Sequence, residues 1–152
     1  MLSNCDHNHF LENMIKHVEN ICAQKGIRFT KLRRHVFELI WQYSKPVKAY
    51  DLLAELQKQI PSAKPITIYR ALDFLMEHGF IHKVHRLNAY ISCTDPEHLG
   101  KPLCLLVCTE CHGVKDSRDD NYSALFKDIL EHHNFKCSNQ TLEIEGVCKN
   151  CS

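Results

Sequence analysis

Two Cys-x-x-Cys pairs constrain this chain more than any other feature. Cys108 and Cys111 stand in "LLVCTECHGVKD", and Cys148 and Cys151 in "GVCKNC". Two cysteines at this spacing share one tight turn, so both sulfurs can point to one side. Two such turns supply four thiolates, the donor set of a tetrahedral zinc site with bonds of about 2.3 Å. The 36 residues between the pairs exceed the usual zinc-ribbon gap. They hold about one helix, which would let two distant turns meet. The expected site is closed and structural, stapling a module whose own core is small. The rival for Cys108 and Cys111 is redox chemistry. A redox pair normally sits at a helix N-terminus, where the dipole lowers the thiol pKa. Here "CTECHGVKD" runs toward a second strand. A zinc deaminase needs H-x-E paired with P-C-x-x-C, and neither cysteine pair here follows a proline.

The chain has nine cysteines, an odd count that argues against a fully paired disulfide framework. The start, "MLSNCDHNHF", has no basic region leading into an apolar stretch, so a secretory signal is not expected. No apolar run approaches the roughly 20 residues of a membrane helix. A cytoplasmic location is the default, and clustered thiols there read as metal ligands.

Charge divides the chain. Residues 1–92 carry 13 Lys/Arg against 8 Asp/Glu, whereas residues 93–152 carry 6 against 10. A basic front and an acidic, Cys-rich back point to two modules with different partners.

The front module reads as four helices. "HFLENMIKHVENICAQKG" places Phe10, Leu11, Met14, Ile15, Val18, Ile21 and Cys22 on one face and stops at Gly26. Thr30 is the expected N-cap of the next helix, with Leu32, Val36, Phe37, Ile40 and Trp41 inward. A third carries Ala49, Leu52, Leu53, Leu56 and Ile60, ending at Pro61. In the fourth, Pro65 suits the first turn, Gly79 suits C′, and Ile68, Leu72, Leu75 and Met76 form the stripe. The period then changes to two. "FIHKVHRLNAYISC" reads as a hairpin around Leu87-Asn88-Ala89. Helices followed by a two-stranded wing are the winged helix-turn-helix plan, with the helix before the wing as the reading helix.

"TDPEHLGKP" carries turn formers and reads as a hinge. Beyond it come strand, strand, helix and strand, with Leu125, Phe126, Ile129 and Leu130 apolar on the helix. A unit of this size calls for a metal staple or oligomerisation. The expected fold class is therefore α+β. Residues 1–9 form a flexible tail, 10–93 a winged-helix DNA-binding domain, 94–102 a hinge and 103–152 a small zinc-binding α/β dimerisation domain.

"ICAQKGIRFTKLRRHVFELI", "KAYDLLAELQ", "KPITIYRALDFLMEHGFIHKV" and "CTECHGVKD…GVCKNC" together resemble the ferric uptake regulator family of metal-dependent repressors, in particular its zinc uptake regulator branch. The likeness runs from about residue 10 to residue 151. It implies a homodimer whose winged-helix domains bind operator DNA and whose back modules dimerise. It also implies a structural zinc and a second, regulatory zinc, about two ions per protomer. With zinc present, such a protein represses zinc uptake genes and is no enzyme.

On the fourth helix, Tyr69, Arg70 and Asp73 fall opposite the buried stripe. An Arg can contact guanine bidentately, and a Tyr can pack on thymine or a phosphate. Lys64 and Thr67, near the N-terminus, can hold phosphates. The bland reading is that Tyr69 is partly core and Arg70 pairs with Asp73.

A regulatory metal needs ligands that link the two modules. His82 starts the wing, Cys93 ends it, His98 lies in the hinge and Asp116 follows the first cysteine pair. His82 and Cys93 match the family's motif directly, and Asp116 stands where related zinc regulators carry Glu. An ungapped alignment puts Lys101 where the family has its hinge His, so His98, Cys104 or no protein group completes the set. A thiolate among the ligands favours zinc over iron or manganese. The bland reading of Cys93 is a small buried hydrophobe.

Cys5, His7 and His9 read as tail residues, Cys22 as core, Cys137 as outside any Cys-x-x-Cys spacing, and His132 and His133 as solvated. The family's further site uses a His where this chain has Gln140, so that site is expected to be absent or weakened. The alternatives are a sensor of iron, manganese or peroxide, a thiol oxidoreductase, and a zinc-storage protein.

Overall fold

The computed structural model describes residues 4–93, 103–117, 120–137 and 141–152. The elements run α1 (Asn4–Gln24), α2 (Lys31–Gln42), α3 (Ala49–Gln59), α4 (Pro65–Glu77), β1 (Ile81–Val84), β2 (Ala89–Ser92), β3 (Leu103–Cys108), β4 (Val114–Ser117), α5 (Asp120–His132) and β5 (Thr141–Gly146). They form two compact units, and Val84–Asn88 at the end of the β1–β2 hairpin falls with the second.

The first unit is built from α1–α4 and the hairpin. α1 starts at Asn4 and takes in residues 4–9, which sequence alone leaves as a tail. Thr30 caps α2 as expected, its hydroxyl accepting from the Arg33 amide at 3.3 Å. Pro65 opens α4, and Gly79 follows the C-cap His78 with φ of 73°, a left-handed conformation that costs glycine nothing. The hairpin turn is closed by Asn88 at φ 46°. Ala89, expected in the turn, is the first residue of β2. Val47, between α2 and α3, exchanges backbone hydrogen bonds with Tyr90 at 2.9 and 2.8 Å, which ties β2 to the helices.

Phe37, Ile40, Leu52, Leu56, Ile68, Leu72 and Leu75 are fully buried and form one core. Cys22 is buried among them, and burial pushes its thiol up, as befits an inert core residue. Ile60 departs from expectation. α3 ends at Gln59, so Ile60 is its C-cap and stays 40% exposed. The helix stops there because Pro61 disfavours helical backbone at the residue before it. Arg33 spans the first turn of α2 and the inner face of α4. Its guanidinium lies 3.6 Å from the centroid of the Phe74 ring, and it donates to the Arg28 carbonyl.

The second unit is a three-stranded sheet in the order β4-β3-β5 with α5 between β4 and β5 in the chain. β3 pairs antiparallel with β4 and parallel with β5. Five of its residues, Leu103, Cys104, Leu105, Val107 and Cys108, are buried. Much other apolar surface is not. Of the expected α5 stripe, Phe126 and Leu130 are half-buried, but Leu125 and Ile129 are exposed, as are Leu106, Phe135, Ile144 and Val147. His132 and His133 are exposed, as expected for solvated side chains.

Candidate metal centre and nucleic-acid interface

The parallel pairing of β3 and β5 explains how two distant cysteine pairs meet. Cys108 ends β3 and stands opposite Gly146, the last residue of β5. Both Cys-x-x-Cys turns therefore leave the sheet at the same end. Each turn closes on itself. The His112 amide donates to the Cys108 carbonyl at 3.1 Å, and the Cys151 amide to the Cys148 carbonyl at 2.9 Å. The Thr109 amide donates to the Gly146 carbonyl at 2.8 Å and stitches the first turn to the end of β5. Gly113 lets the chain pass the site closely, since a Cβ there would meet the Cys111 sulfur at 3.2 Å.

The four sulfurs of Cys108, Cys111, Cys148 and Cys151 lie within 4.8 Å of one another. Thiolates at about 2.3 Å from one ion in a tetrahedron are about 3.8 Å apart. The Cys111 and Cys148 sulfurs are 3.9 Å apart. The residues thus fit a four-thiolate zinc ion with little adjustment. The electrostatics agree. Backbone amides of Cys111 and Cys148 pointing at the Cys108 sulfur lower its pKa to about 6. Cys151 is pushed up to about 12 by its hydrogen bonds to the Cys148 and Cys111 side chains. Four crowded thiols cannot all ionise without a cation among them. No α-helix starts at Cys108–Cys111, where β3 turns into β4, so the helix dipole expected of a redox pair is missing.

The regulatory candidates fall in different parts of the chain. In the first unit, the Cys93 amide donates to the Phe80 carbonyl at 3.0 Å, so Cys93 lies across the hairpin from Phe80. Alternation then puts His82, two residues on, on the same face as Cys93. Cys93 is buried and His82 half-buried. In the second unit, Asp116 is half-buried on β4 opposite Leu105, and Cys104 is opposite Ser117. Residues directly opposed in a ladder share a face, and neighbours along a strand alternate. Cys104 therefore lies on the face opposite to Asp116. It shares its side with Cys108, as expected for a regular strand, and it is fully buried. His98, Lys101 and Gln140 lie outside the described residues, as do the side chains of Cys5 and His7.

On α4, Ile68, Ala71, Leu72, Phe74 and Leu75 face the core. Tyr69 is 49% exposed, and Arg70 and Asp73 are exposed beside it. Among the described residues Arg70 makes no ion pair, with Asp73 or any other carboxylate. The Arg70–Asp73 pair of the bland reading is therefore not formed. Lys64 is exposed at the N-cap of α4, and Thr67 is half-buried in its first turn. Sequence reasoning missed Ile66, which is 56% exposed on the same face, and the contact of Arg33 with Phe74. Helical spacing carries a signal for the first; nothing local signals the second.

A four-helix unit with a two-stranded wing, followed by a small sheet that gathers four thiols, defines a winged-helix protein with a thiol cluster fit for a zinc ion. The model of the ferric uptake regulator family matches residues 24–145, and the chain belongs to that family. The zinc uptake regulation protein of Escherichia coli (strain K12) is 34% identical over 143 residues, spanning 92% of this chain and 82% of the relative. A zinc uptake regulator in complex with zinc and DNA superposes with a TM-score of 0.86 at 33% identity, covering 93% of this chain and 94% of that one. The holo form of XcZur superposes with a TM-score of 0.82 at 35% identity, covering 91% and 96%. No helix among the described residues is long and apolar enough to cross a membrane.

Proposed function

We propose that this chain is a zinc-responsive transcriptional repressor that binds operator DNA as a homodimer and controls zinc uptake genes. The observation that carries the reading is the match, over nearly its whole length, to a zinc uptake regulator bound to zinc and DNA. The four-thiolate centre agrees with it. So does the apolar surface that α5 and β5 leave exposed, which a second copy would cover. The reading assigns the protein to the cytoplasm and gives it no catalytic role.

In this reading the two zinc ions have different tasks. Cys108, Cys111, Cys148 and Cys151 would hold the first and keep β3 and β5 together at their ends. His82, Cys93 and Asp116 would hold the second, with His98 as the favoured fourth ligand. Their shared face makes His82 and Cys93 a ready pair. The opposite facing of Cys104 and Asp116 argues against Cys104. When bound, the second ion would tie wing to sheet and bias the placement of the winged helices. The Cys93 thiolate favours zinc over iron or manganese. α4 would enter the major groove, with Tyr69 and Arg70 toward the bases and Lys64 and Thr67 toward phosphates.

A gel-shift titration at buffered free zinc tests the reading. Operator binding should rise with free zinc, and the loaded protein should hold about two zinc ions per protomer. Folded protein whose DNA binding ignores zinc would rule out the sensing role. Iron or manganese outcompeting zinc would move the chain to another branch of the family.

A further inference from the structure

The exposed face of α4 carries more than Tyr69 and Arg70. Ile66 stands in the first turn, directly after Pro65, and is 56% exposed. It precedes Tyr69 and Arg70 by three and four residues, so the three side chains form one stripe along the helix. Asp73 continues it. The opposite face of α4 is sealed in the core, so α4 cannot turn to bury Ile66 without exposing Ile68, Leu72 and Leu75. An apolar branched side chain thus sits beside an exposed aromatic ring and a guanidinium with no ion pair among the described residues, between Lys64 and Arg70. A purely structural solvent-facing position in a first turn would be well served by a polar or acidic residue.

We infer that Ile66 is a specificity-determining residue that packs on the C5-methyl of a thymine in the operator's major groove. The inference rests on the regulator reading above. Reading helices present their N-terminal residues to base edges. Of the groups on those edges, the thymine methyl is the one that an aliphatic side chain recognises. Lys64 and Arg70 flank Ile66, with Asp73 a turn further along, so the N-terminal end of the stripe is cationic and favours a polyanion over an apolar protein partner. Pro65 and the anchored core fix where the Ile66 branch projects. Ile66 is stiff at χ1, so it loses little freedom on contact. Arg70 would then read a guanine, and Ile66 a thymine on its N-terminal side.

The test uses the zinc-loaded full chain. An operator is first selected from a random duplex pool. Each thymine is then replaced singly by deoxyuridine, which removes the methyl and leaves the pairing edge intact. Wild-type protein should lose about three- to tenfold in affinity at one thymine per half-site. Ile66→Ala should lose a similar factor on the unmodified operator. At that one position it should then bind thymine and deoxyuridine duplexes equally, while keeping the wild-type responses elsewhere. Ile66→Val should keep most of the discrimination. The assignment is overturned if Ile66→Ala discriminates thymine from deoxyuridine as wild type does at every position, or if wild type discriminates at none. A chain that selects no operator with zinc bound would overturn the regulator reading, and the role of Ile66 with it. The variants' zinc content and melting should match wild type, because Ile66 lies outside the buried core cluster.

Discussion

The backbone amide of Cys148 donates to the Cys108 sulfur at 3.4 Å, across 40 residues of sequence. Parallel pairing of β3 with β5 makes that contact possible, and it brings together the two thiol pairs that would hold the proposed structural zinc. Cys108→Ser replaces the thiolate by a neutral hydroxyl on a shorter bond, a poor zinc ligand and a more distant acceptor for that amide. Structural zinc binding in small domains is worth about 10–16 kcal/mol, which exceeds or matches the whole stability of a typical domain. The variant should lose one zinc ion per protomer and the strand signal of the second unit. Trp41, the single tryptophan, sits in the core of the first unit and should keep its native fluorescence. A Cys108→Ser protein with native circular dichroism, melting and zinc content would refute the structural role.

Protons compete with that metal in a defined order. The Cys108 thiol, held at about 6 by amides pointing at its sulfur, is ionised at neutral pH before an ion arrives. Cys151, pushed to about 12 by its neighbouring thiols, must give up a proton on ligation. Cys108 is lowered from 9.0, so its contribution to the metal-free fold is present above that value and lost as pH falls through about 6. Cys151 is raised, so its contribution is present below 9.0 and lost as pH rises toward 12. Zinc affinity measured against a chelator should fall with acid, and its slope on pH should steepen by about one proton below pH 6. A constant slope from pH 7.5 to 5 would contradict the assignment to Cys108.

His78 sets a second pH dependence, in the first unit. Its ring packs 4.6 Å from Phe74 and 6.0 Å from Phe80, at the C-cap of α4. Burial lowers its pKa from 6.5; the Glu77 carboxylate opposes this, and the nearby cations Lys25 and Arg33 add to it. The folded state therefore binds the proton less readily than the unfolded chain. Stability is full above 6.5 and is lost as pH falls below it. Melting followed by Trp41 fluorescence should drop between pH 7.5 and 5.5, and His78→Gln should flatten part of that drop. An identical drop in the variant would remove His78 as the cause.

What the sequence makes legible is what has a local signal. Periods of 3.6 and 2 place four helices and a hairpin, and the cysteine pairs announce their own site. Ile60 reads as an inward residue, but its face depends on where α3 stops. Leu125 and Ile129 read as part of an inward stripe, yet no described residue buries them, and a stripe alone does not say what lies against it. The opposite facing of Cys104 and Asp116 is set by strand register, and a slip of one residue would reverse it. Register depends on long-range pairing, so no spacing rule reveals it. The Arg33–Phe74 stack is illegible for the same reason, because it joins two helices through tertiary packing.

That register yields a prediction for the sensing site. Cys93→Ser should abolish zinc-dependent operator binding and leave a folded dimer with one zinc ion per protomer. Asp116→Asn should weaken the response without abolishing it, since the amide oxygen still offers a poorer donor. Cys104→Ala, on the face opposite Asp116, should keep two zinc ions and full zinc-dependent binding. It should cost only about 1 kcal/mol of stability, the scale for removing a small buried group. Loss of the second zinc in Cys104→Ala, with the fold intact, would place Cys104 in the sensing set and displace His98.

Arg70 and Lys64 should separate by the kind of contact each makes. Arg70 is exposed and makes no ion pair among the described residues, so its guanidinium is available to a guanine edge. Arg70→Ala should cost about 1–3 kcal/mol on the selected operator and relax specificity at one position per half-site. Lys64, exposed at the N-cap of α4, would face phosphates in the proposed docking. Lys64→Ala should weaken binding about equally on all sequences and lower the salt dependence by about one released counterion per protomer. Affinities measured across salt concentrations, on the selected operator and on a scrambled duplex, distinguish the two. If Arg70→Ala lowers affinity equally on both duplexes, Arg70 holds a phosphate and the exposed face of α4 reads no guanine through it.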